Sequence, residues 1–166
     1  LNLCDHLSGV ATKTRAIVDA AHSANPACEV LTTRKSMPGV KDLLTKAVTC
    51  GGAFPHRLGA SETVLVFAHH ITFMGGFEAF LEALPSLRGR CVEKKLFVEA
   101  GPDEVRRLAE AGVDGIQLDK LPASDLAALV PELRAIDSHI TLIAAGGINL
   151  QNAAAYASTG VDGLAT

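Results

Sequence analysis

An apolar, β-prone run, Val30-Leu31-Thr32-Thr33, stops on two adjacent cations, Arg34 and Lys35, and a Pro38-Gly39 turn then leads into the amphipathic run Val40 to Val48. The order strand, cations, turn, helix puts Arg34 and Lys35 at a strand's C-terminal end, where parallel α/β barrels gather their catalytic groups. An arginine fork grips a carboxylate or phosphate through two N–H donors, and a lysine beside it adds a mobile point charge. The pair suits a polyanionic ligand; a solvated basic turn is the alternative. Lys95 to Glu99 and Gly115 to Asp119 are apolar runs that each end on a carboxylate, and Thr141 to Ala145 leads into Gly146-Gly147. If these ends meet at one mouth, Glu99 and Asp119 face two or three cations. That makes either a salt-bridge network or a Mg2+-phosphate site, since Mg2+ favours one or two carboxylates plus substrate oxygens. Gly146-Gly147 ahead of a helix would open backbone N–H groups toward a phosphate, or be only a tight turn.

Two histidine pairs are less decisive. His56-Arg57 lies in the glycine-rich loop Cys50 to Gly59, as a carboxylate clamp or as surface decoration. His69-His70 follows the strand Thr63 to Phe67; neighbours on a strand point to opposite faces, so at most one reaches the mouth. Asp5-His6 is assigned to the structure of the first helix.

The elements that must position these groups alternate. Residues 1–25 read as a helix striped by Leu3, Val10, Ala11, Ile17, Val18 and Ala21, weakened by Gly9. Strands follow at 30–33, 63–67, 95–99, 115–119 and 141–145. Helices are expected at 40–48, 77–84 with a stop before Pro85, 102–110, 124–136 and 149–157. Gly163 to Thr166 begins one more strand. The run Ala111-Gly112-Val113-Asp114-Gly115-Ile116 returns 48 residues later as Thr159-Gly160-Val161-Asp162-Gly163-Leu164, the mark of successive βα units. The fold expected is a parallel (β/α) barrel, incomplete and cut at both ends, because a full barrel takes about 250 residues. A doubly wound open sheet is the alternative.

Composition narrows the function. With 166 residues, 48% apolar and 20% charged, the chain is ordinary globular protein, and a net charge of −3 argues against general affinity for nucleic acid or anionic membrane. Thr63 to Phe77 falls short of the roughly 20 apolar residues a bilayer needs, and Ser138 to Val161 is broken by Gly, Asn and Gln. Cys4, Cys28, Cys50 and Cys91 form no Cys-x-x-Cys pair, and no histidine pair has zinc-ligand spacing. Reduced thiols and a cytoplasmic location are expected.

Leu1-Asn2, Leu7-Ser8-Gly9-Val10-Ala11-Thr12, Thr33-Arg34-Lys35, Gly51-Gly52, His56-Arg57, Glu99, Leu118-Asp119 and Gly146-Gly147-Ile148 together resemble the nicotinate-nucleotide pyrophosphorylase, or quinolinate phosphoribosyltransferase, family across essentially the whole chain. Leu31 to Gly39 and Gly52 to Arg57 look most like its ModD branch, associated with molybdenum transport. The resemblance implies an incomplete TIM-like barrel of the type II phosphoribosyltransferases over residues 1–166, a small N-terminal domain outside this chain, and a homodimer with sites at its interface. An interfacial arginine of the family would fall just before Leu1. The activity implied is transfer of phosphoribosyl from phosphoribosyl pyrophosphate to an aromatic acceptor, with Mg2+. Thr33, Arg34, His56 and Arg57 would hold the carboxylated ring and Lys35 the pyrophosphate. Glu99 and Asp119 would hold the Mg-bound ribose and pyrophosphate, and Gly146 and Gly147 the 5′-phosphate. Where the family has a strand ending Lys-Asp-Asn-His, this chain reads Phe67-Ala68-His69-His70, which puts Phe67 and His70 on the acceptor side. Ile143 replaces a usual glutamate, and Lys120 a usual asparagine. Donor binding looks retained and acceptor binding changed. Two rivals stand beside this reading: a noncatalytic phosphate-ligand-binding accessory protein of molybdate uptake, and a lyase using Lys35 as a Schiff base.

Overall fold

Period-two alternation along the strands organises the molecule, because it sends one set of side chains under the helices and the other toward a shared interior. The computed structural model describes residues 1–59 and 62–166. Its strands are β1 (Glu29–Thr32), β2 (Phe54–Pro55), β3 (Val64–Val66), β4 (Leu96–Ala100), β5 (Gly115–Asp119), β6 (Thr141–Ala145) and β7 (Gly163–Ala165). The helices are α1 (Asn2–Ala24), α2 (Lys41–Cys50), α3 (Ala68–Phe73), α4 (Phe77–Gly89), α5 (Val105–Glu110), α6 (Ala123–Ile136) and α7 (Ala153–Ala157). The strands form one sheet of order β2-β1-β7-β6-β5-β4-β3, parallel at every pairing. β2 and β3 are its edges, so the sheet is a curled half-barrel rather than a closed one. No described helix is long and apolar enough to cross a membrane.

The outer face carries the main core. Val30, Val66, Leu96, Val98, Ile116, Leu118, Leu142, Ala144 and Leu164 pack under helix residues such as Ile17, Phe80, Leu108, Leu126 and Leu133. Each fully buried leucine or isoleucine contributes ~1.5–3 kcal/mol, so stability is concentrated here. The inner face holds a smaller apolar floor of Leu65, Phe97, Ile143, Ala145 and Ala165, joined by Leu31 and Phe67. Gly115 makes that floor fit, since a Cβ there would lie 2.2 Å from a ring carbon of Phe97. Two residues beyond Phe97 and Gly115 on the same inward parity come Glu99 and Gln117, which are register partners, and beyond Gln117 comes Asp119. The floor therefore lifts the polar groups to the strands' C-terminal ends.

The 48-residue repeat works at the opposite end of the sheet. Asp114 accepts the Leu96 N–H at 2.7 Å and Asp162 accepts the Leu142 N–H at 2.7 Å, so each carboxylate ties its own strand's start to that of a neighbour. An arginine from the helix that precedes the neighbouring strand reaches each one, Arg88 of α4 to Asp114 at 3.7 Å and Arg134 of α6 to Asp162 at 2.6 Å. The repeated aspartate is a structural tie.

Several local expectations are corrected. α4 runs through Pro85 to Gly89 instead of stopping before the proline, just as α6, the helix expected over 124–136, runs through Pro131. Both prolines are exposed, so the carbonyl each deprives of a donor can be hydrated while Leu84 and Phe80 anchor the inner face. Phe54–Pro55 is a short strand within the expected loop, and Ala68–Phe73 is a helix where His69-His70 were read on a strand. α5 begins at Val105 and α7 at Ala153, later than expected. At α7 the cause is local: the Asn149 side chain accepts from the Gln151 N–H and the Asn152 side chain from the Asn149 N–H, holding a turn that competes with helix.

Candidate active site

At the strands' C-terminal ends lies a cavity of about 730 Å³. Thr33, Arg34 and Lys35 enter it beyond β1, His56 and Arg57 beyond β2, and Phe67 beyond β3. Glu99 comes from β4, Gln117 and Asp119 from β5, Lys120 just past β5, and Gly146 and Gly147 just past β6. The curl of the sheet thus brings together every residue assigned to the site from sequence except His70. The imidazole of His70 is turned onto its own helix start: Nδ1 accepts the Phe67 backbone N–H at 3.0 Å, and His70 is not on the cavity wall.

One side of the cavity is cationic. Arg34, Lys35 and Arg57 make no ion pair among the described residues, whereas Arg15, Arg88, Arg106, Arg107 and Arg134 each have a carboxylate partner. Burial and the neighbouring Arg34 pull the Arg57 guanidinium below its ordinary pKa. Burial and Arg57 likewise push His56 down, so its imidazole is neutral at physiological pH. β2, short as it is, sets this side: the His56 N–H donates to the Thr32 carbonyl at 2.9 Å, which holds His56 and Arg57 beside Thr33 and Arg34. The same segment separates the cavity from a second space of about 340 Å³ against α1 and α2, and Arg34, Lys35 and Arg57 border both.

The wall next to it is aromatic. The Phe67 ring lies 5.8 Å from the Arg57 guanidinium carbon and is stacked on His69 at 5.5 Å, with 10° between the planes. His69 in turn lies 4.1 Å from His70. Burial, then His69 and Arg57, lowers the His70 pKa, in keeping with an Nδ1 that accepts a hydrogen bond.

The far side is acidic, and its carboxylates are already held. Gln117, 8% exposed, donates from Nε2 to Glu99 Oε2 at 2.6 Å. Burial raises the Glu99 pKa, Asp119 adds to the rise, and the Gln117 hydrogen bond opposes it. Asp119 Oδ2 pairs with Lys120 Nζ at 3.0 Å. Past β6 the chain turns through Gly146 at φ 90° and Gly147 at φ 76°, and the Gly147 carbonyl accepts from both Asn149 Nδ2 and Asn152 Nδ2 at 3.1 Å. A Cβ at Gly146 would meet Lys120 Cγ at 2.6 Å, whereas one at Gly147 would meet nothing within 4 Å. Only glycine suits the first position on packing and conformation together.

Sequence reasoning passed over Gln117, yet a signal was there. In Gly115-Ile116-Gln117-Leu118-Asp119 the lone amide shares parity with Asp119, which places both on the inner face. Ile143 is the register partner of Gln117 and is 5% exposed, so an apolar side chain occupies the inner row there.

Known proteins match this geometry. The ModD protein of Rhodobacter capsulatus is 45% identical over 154 residues, covering 92% of this chain and 59% of its own. The nicotinate-nucleotide pyrophosphorylase (carboxylating) of Mycobacterium leprae is 34% identical over 166 residues, covering 99% and 57%. The solved nicotinate-nucleotide pyrophosphorylase of Francisella tularensis superposes with a TM-score of 0.82 at 30% identity, covering 96% of this chain and 55% of that one. The chain therefore spans a little over half the length of the relatives it matches. The sequence profile of the quinolinate phosphoribosyl transferase C-terminal domain matches residues 10–166, and the chain belongs to that family.

Proposed function

We propose that the protein is a phosphoribosyltransferase that joins an aromatic acceptor to phosphoribosyl pyrophosphate and releases pyrophosphate. The observation that carries this reading is the division of one cavity into a cationic side, an aromatic wall, an acidic side and a double-glycine turn. In the reaction the bond from the anomeric carbon to the pyrophosphate oxygen breaks, with the electron pair leaving on pyrophosphate, and a ring nitrogen of the acceptor bonds to that carbon. Catalysis is then electrostatic, because negative charge grows on the leaving group while positive charge grows on the ribose.

The roles divide accordingly. Lys35 takes the pyrophosphate, and Gly146 and Gly147 leave their backbone open to the 5′-phosphate. Thr33, Arg34, His56 and Arg57 hold an acidic group on the acceptor, whose ring lies against Phe67. Glu99 and Asp119 face the ribose and stabilise its developing charge. His70 has no direct role, since its accepting nitrogen is already engaged by the Phe67 N–H. No three His, Cys, Asp or Glu side chains converge as a metal cage among the described residues. Two carboxylates fit Mg2+ when a diphosphate supplies further oxygens, so Glu99 and Asp119 would hold it together with the substrate, where its charge would neutralise the leaving group.

The acceptor carries fewer charges than the dianion quinolinate. A second buried carboxylate needs a cationic partner of its own; Phe67 offers none, and Arg57, 5.8 Å from its ring, is taken by the first acidic group. An unpaired buried charge costs about 3–5 kcal/mol, roughly a hundredfold or more in binding. The test is Mg-dependent pyrophosphate release from phosphoribosyl pyrophosphate across a panel of aromatic acids and bases, with kcat/KM for quinolinate compared in the wild type and Phe67→Lys. Release with a monoanionic or neutral acceptor, and quinolinate turnover gained on restoring lysine, supports the reading. Robust turnover of quinolinate by the wild type refutes the acceptor assignment. Ligand binding without any turnover favours the accessory-protein alternative, and borohydride trapping at Lys35 the lyase.

A further inference from the structure

Lys120 is the only non-glycine residue at positive φ among the described residues, at 56°. L side chains visit this region rarely, and asparagine several-fold more readily than a long side chain. Its N–H completes the β5–β6 ladder to the Ala145 carbonyl at 2.8 Å, and beyond that bond its stem lies across Gly146, where the missing Cβ leaves room for Lys120 Cγ. The consequence is a fixed address for the charge. The ammonium sits 3.0 Å from Asp119 Oδ2 on the cavity wall, between the carboxylates and the double-glycine turn, and the side chain remains 79% exposed and open to a ligand.

A metal ion brought in by a diphosphate would need Asp119, and Asp119 already has a cation. Had the residue after Asp119 taken an ordinary extended conformation, its N–H could still have met the Ala145 carbonyl, but its side chain would have alternated to the face opposite Asp119 and its stem would not have crossed the turn. We propose that the Lys120 ammonium is a resident counter-cation of the site, balancing Asp119 in the free protein and, when no divalent metal is bound, lying between Asp119 and the phosphate oxygens of a bound diphosphate, so that most of the diphosphate affinity survives removal of the metal. This rests on the phosphoribosyl pyrophosphate reading above and assigns Lys120 a binding role within it.

The experiment is calorimetric titration with inorganic pyrophosphate, in MgCl2 and in EDTA, of the wild type, Lys120→Asn and Lys120→Arg. Asparagine tolerates the backbone conformation while removing the charge, and a thermal melt of each variant checks the fold. The wild type should lose less than about tenfold in affinity when metal is removed. Lys120→Asn should lose about a further tenfold in EDTA, or ~1.4 kcal/mol, and change little in MgCl2. Lys120→Arg should stay near the wild type in both. Equal affinity of Lys120→Asn and wild type in EDTA overturns the inference. So does an equal loss with and without metal, which is what a simple phosphate contact would give. Absence of pyrophosphate binding in every arm overturns the phosphoribosyltransferase reading itself, and this inference falls with it.

Discussion

Gly146 and Gly147 are adjacent, both at positive φ and both on the cavity wall, yet substituting them should have opposite consequences. Alanine at either position forces an L residue into the left-handed region, at about 1–2 kcal/mol. At Gly146 the new methyl would also lie 2.6 Å from Lys120 Cγ, 2.9 Å from the Lys120 nitrogen and 3.0 Å from Asp119 Oδ1. The lysine stem can move, but the backbone nitrogen is fixed by its bond to Ala145, so overpacking adds about 1–3 kcal/mol. Gly146→Ala should therefore destabilise by ~2–5 kcal/mol, and Gly147→Ala by only ~1–2 kcal/mol because its methyl enters open space. For a chain of this size the first corresponds to a Tm lowered by roughly 5–15 °C and the second by roughly 2–6 °C. Ligand binding should reverse the ranking per unit of stability lost: the Gly147 methyl projects where a phosphate would approach, so phosphate affinity falls although the fold is nearly intact. Urea unfolding and phosphate titration on both variants make the comparison. If the two alanines cost the same stability within about 0.5 kcal/mol, the Lys120–Gly146 packing described above is wrong.

Three further outcomes are expected. His70→Ala removes the acceptor for the Phe67 N–H and should cost ~0.5–2 kcal/mol, with KM values for both substrates little changed; a large KM effect without a Tm effect would restore His70 to the ligand site. Cys28 is fully buried, and burial followed by Asp162 and Glu29 pushes its thiol up to about 12 from 9.0. Below 9.0 both folded and unfolded forms keep the proton; above it only the unfolded chain ionises, so stability attributable to this group falls as pH rises from 9.0 toward 12. Thiol reagents should label the exposed Cys4 and Cys50 in the native protein and reach Cys28 only on unfolding, and rapid native labelling of Cys28 would contradict its burial. Arg34→Ala should leave the melting temperature of the ligand-free protein unchanged or higher, because it removes repulsion with Arg57 and breaks no ion pair, while acceptor binding is lost; a drop of more than about 1 kcal/mol would mean that Arg34 holds the fold.

Much of this was legible in the chain because a parallel strand buried on both faces leaves few reasons for a polar residue. Asp119 ends such a strand and Glu99 stands one residue before the end of another, and their inward parity follows from that of Phe97 and Gly115. β2 was not legible, since two residues have no periodicity and the strand exists only because curling brings Thr32 to the His56 N–H. α3 was hidden for a related reason: Ala68 to Phe73 buries only Ile71, so it has no apolar stripe, and its start depends on the His70 imidazole. Nor could residue types alone show that Lys120 turns through positive φ, because that state depends on the space that Gly146 leaves beneath its stem.

The distribution of partners explains why one side of the cavity favours anions more than the other. Glu99 is held by Gln117 and Asp119 by Lys120, so the acidic side enters a binding event already oriented and partly neutralised. Arg34, Lys35 and Arg57 have no such partner among the described residues, and the Arg57 pKa is lowered by burial and by Arg34, which means the fold tolerates crowded positive charge that a ligand would relieve. An anion entering there gains twice, from its own contacts and from the repulsion it quenches. A carboxylate supplied from within the chain would have removed that gain, as Glu132 does for Arg106 and Glu78 for Arg107 on the surface. Under the function proposed above, the stacked Phe67 and His69 give a flat ring a wall to lie along, whereas a second fixed carboxylate directed at the face of Phe67 would lose its hydration and share Arg57, 5.8 Å from that ring, with the first.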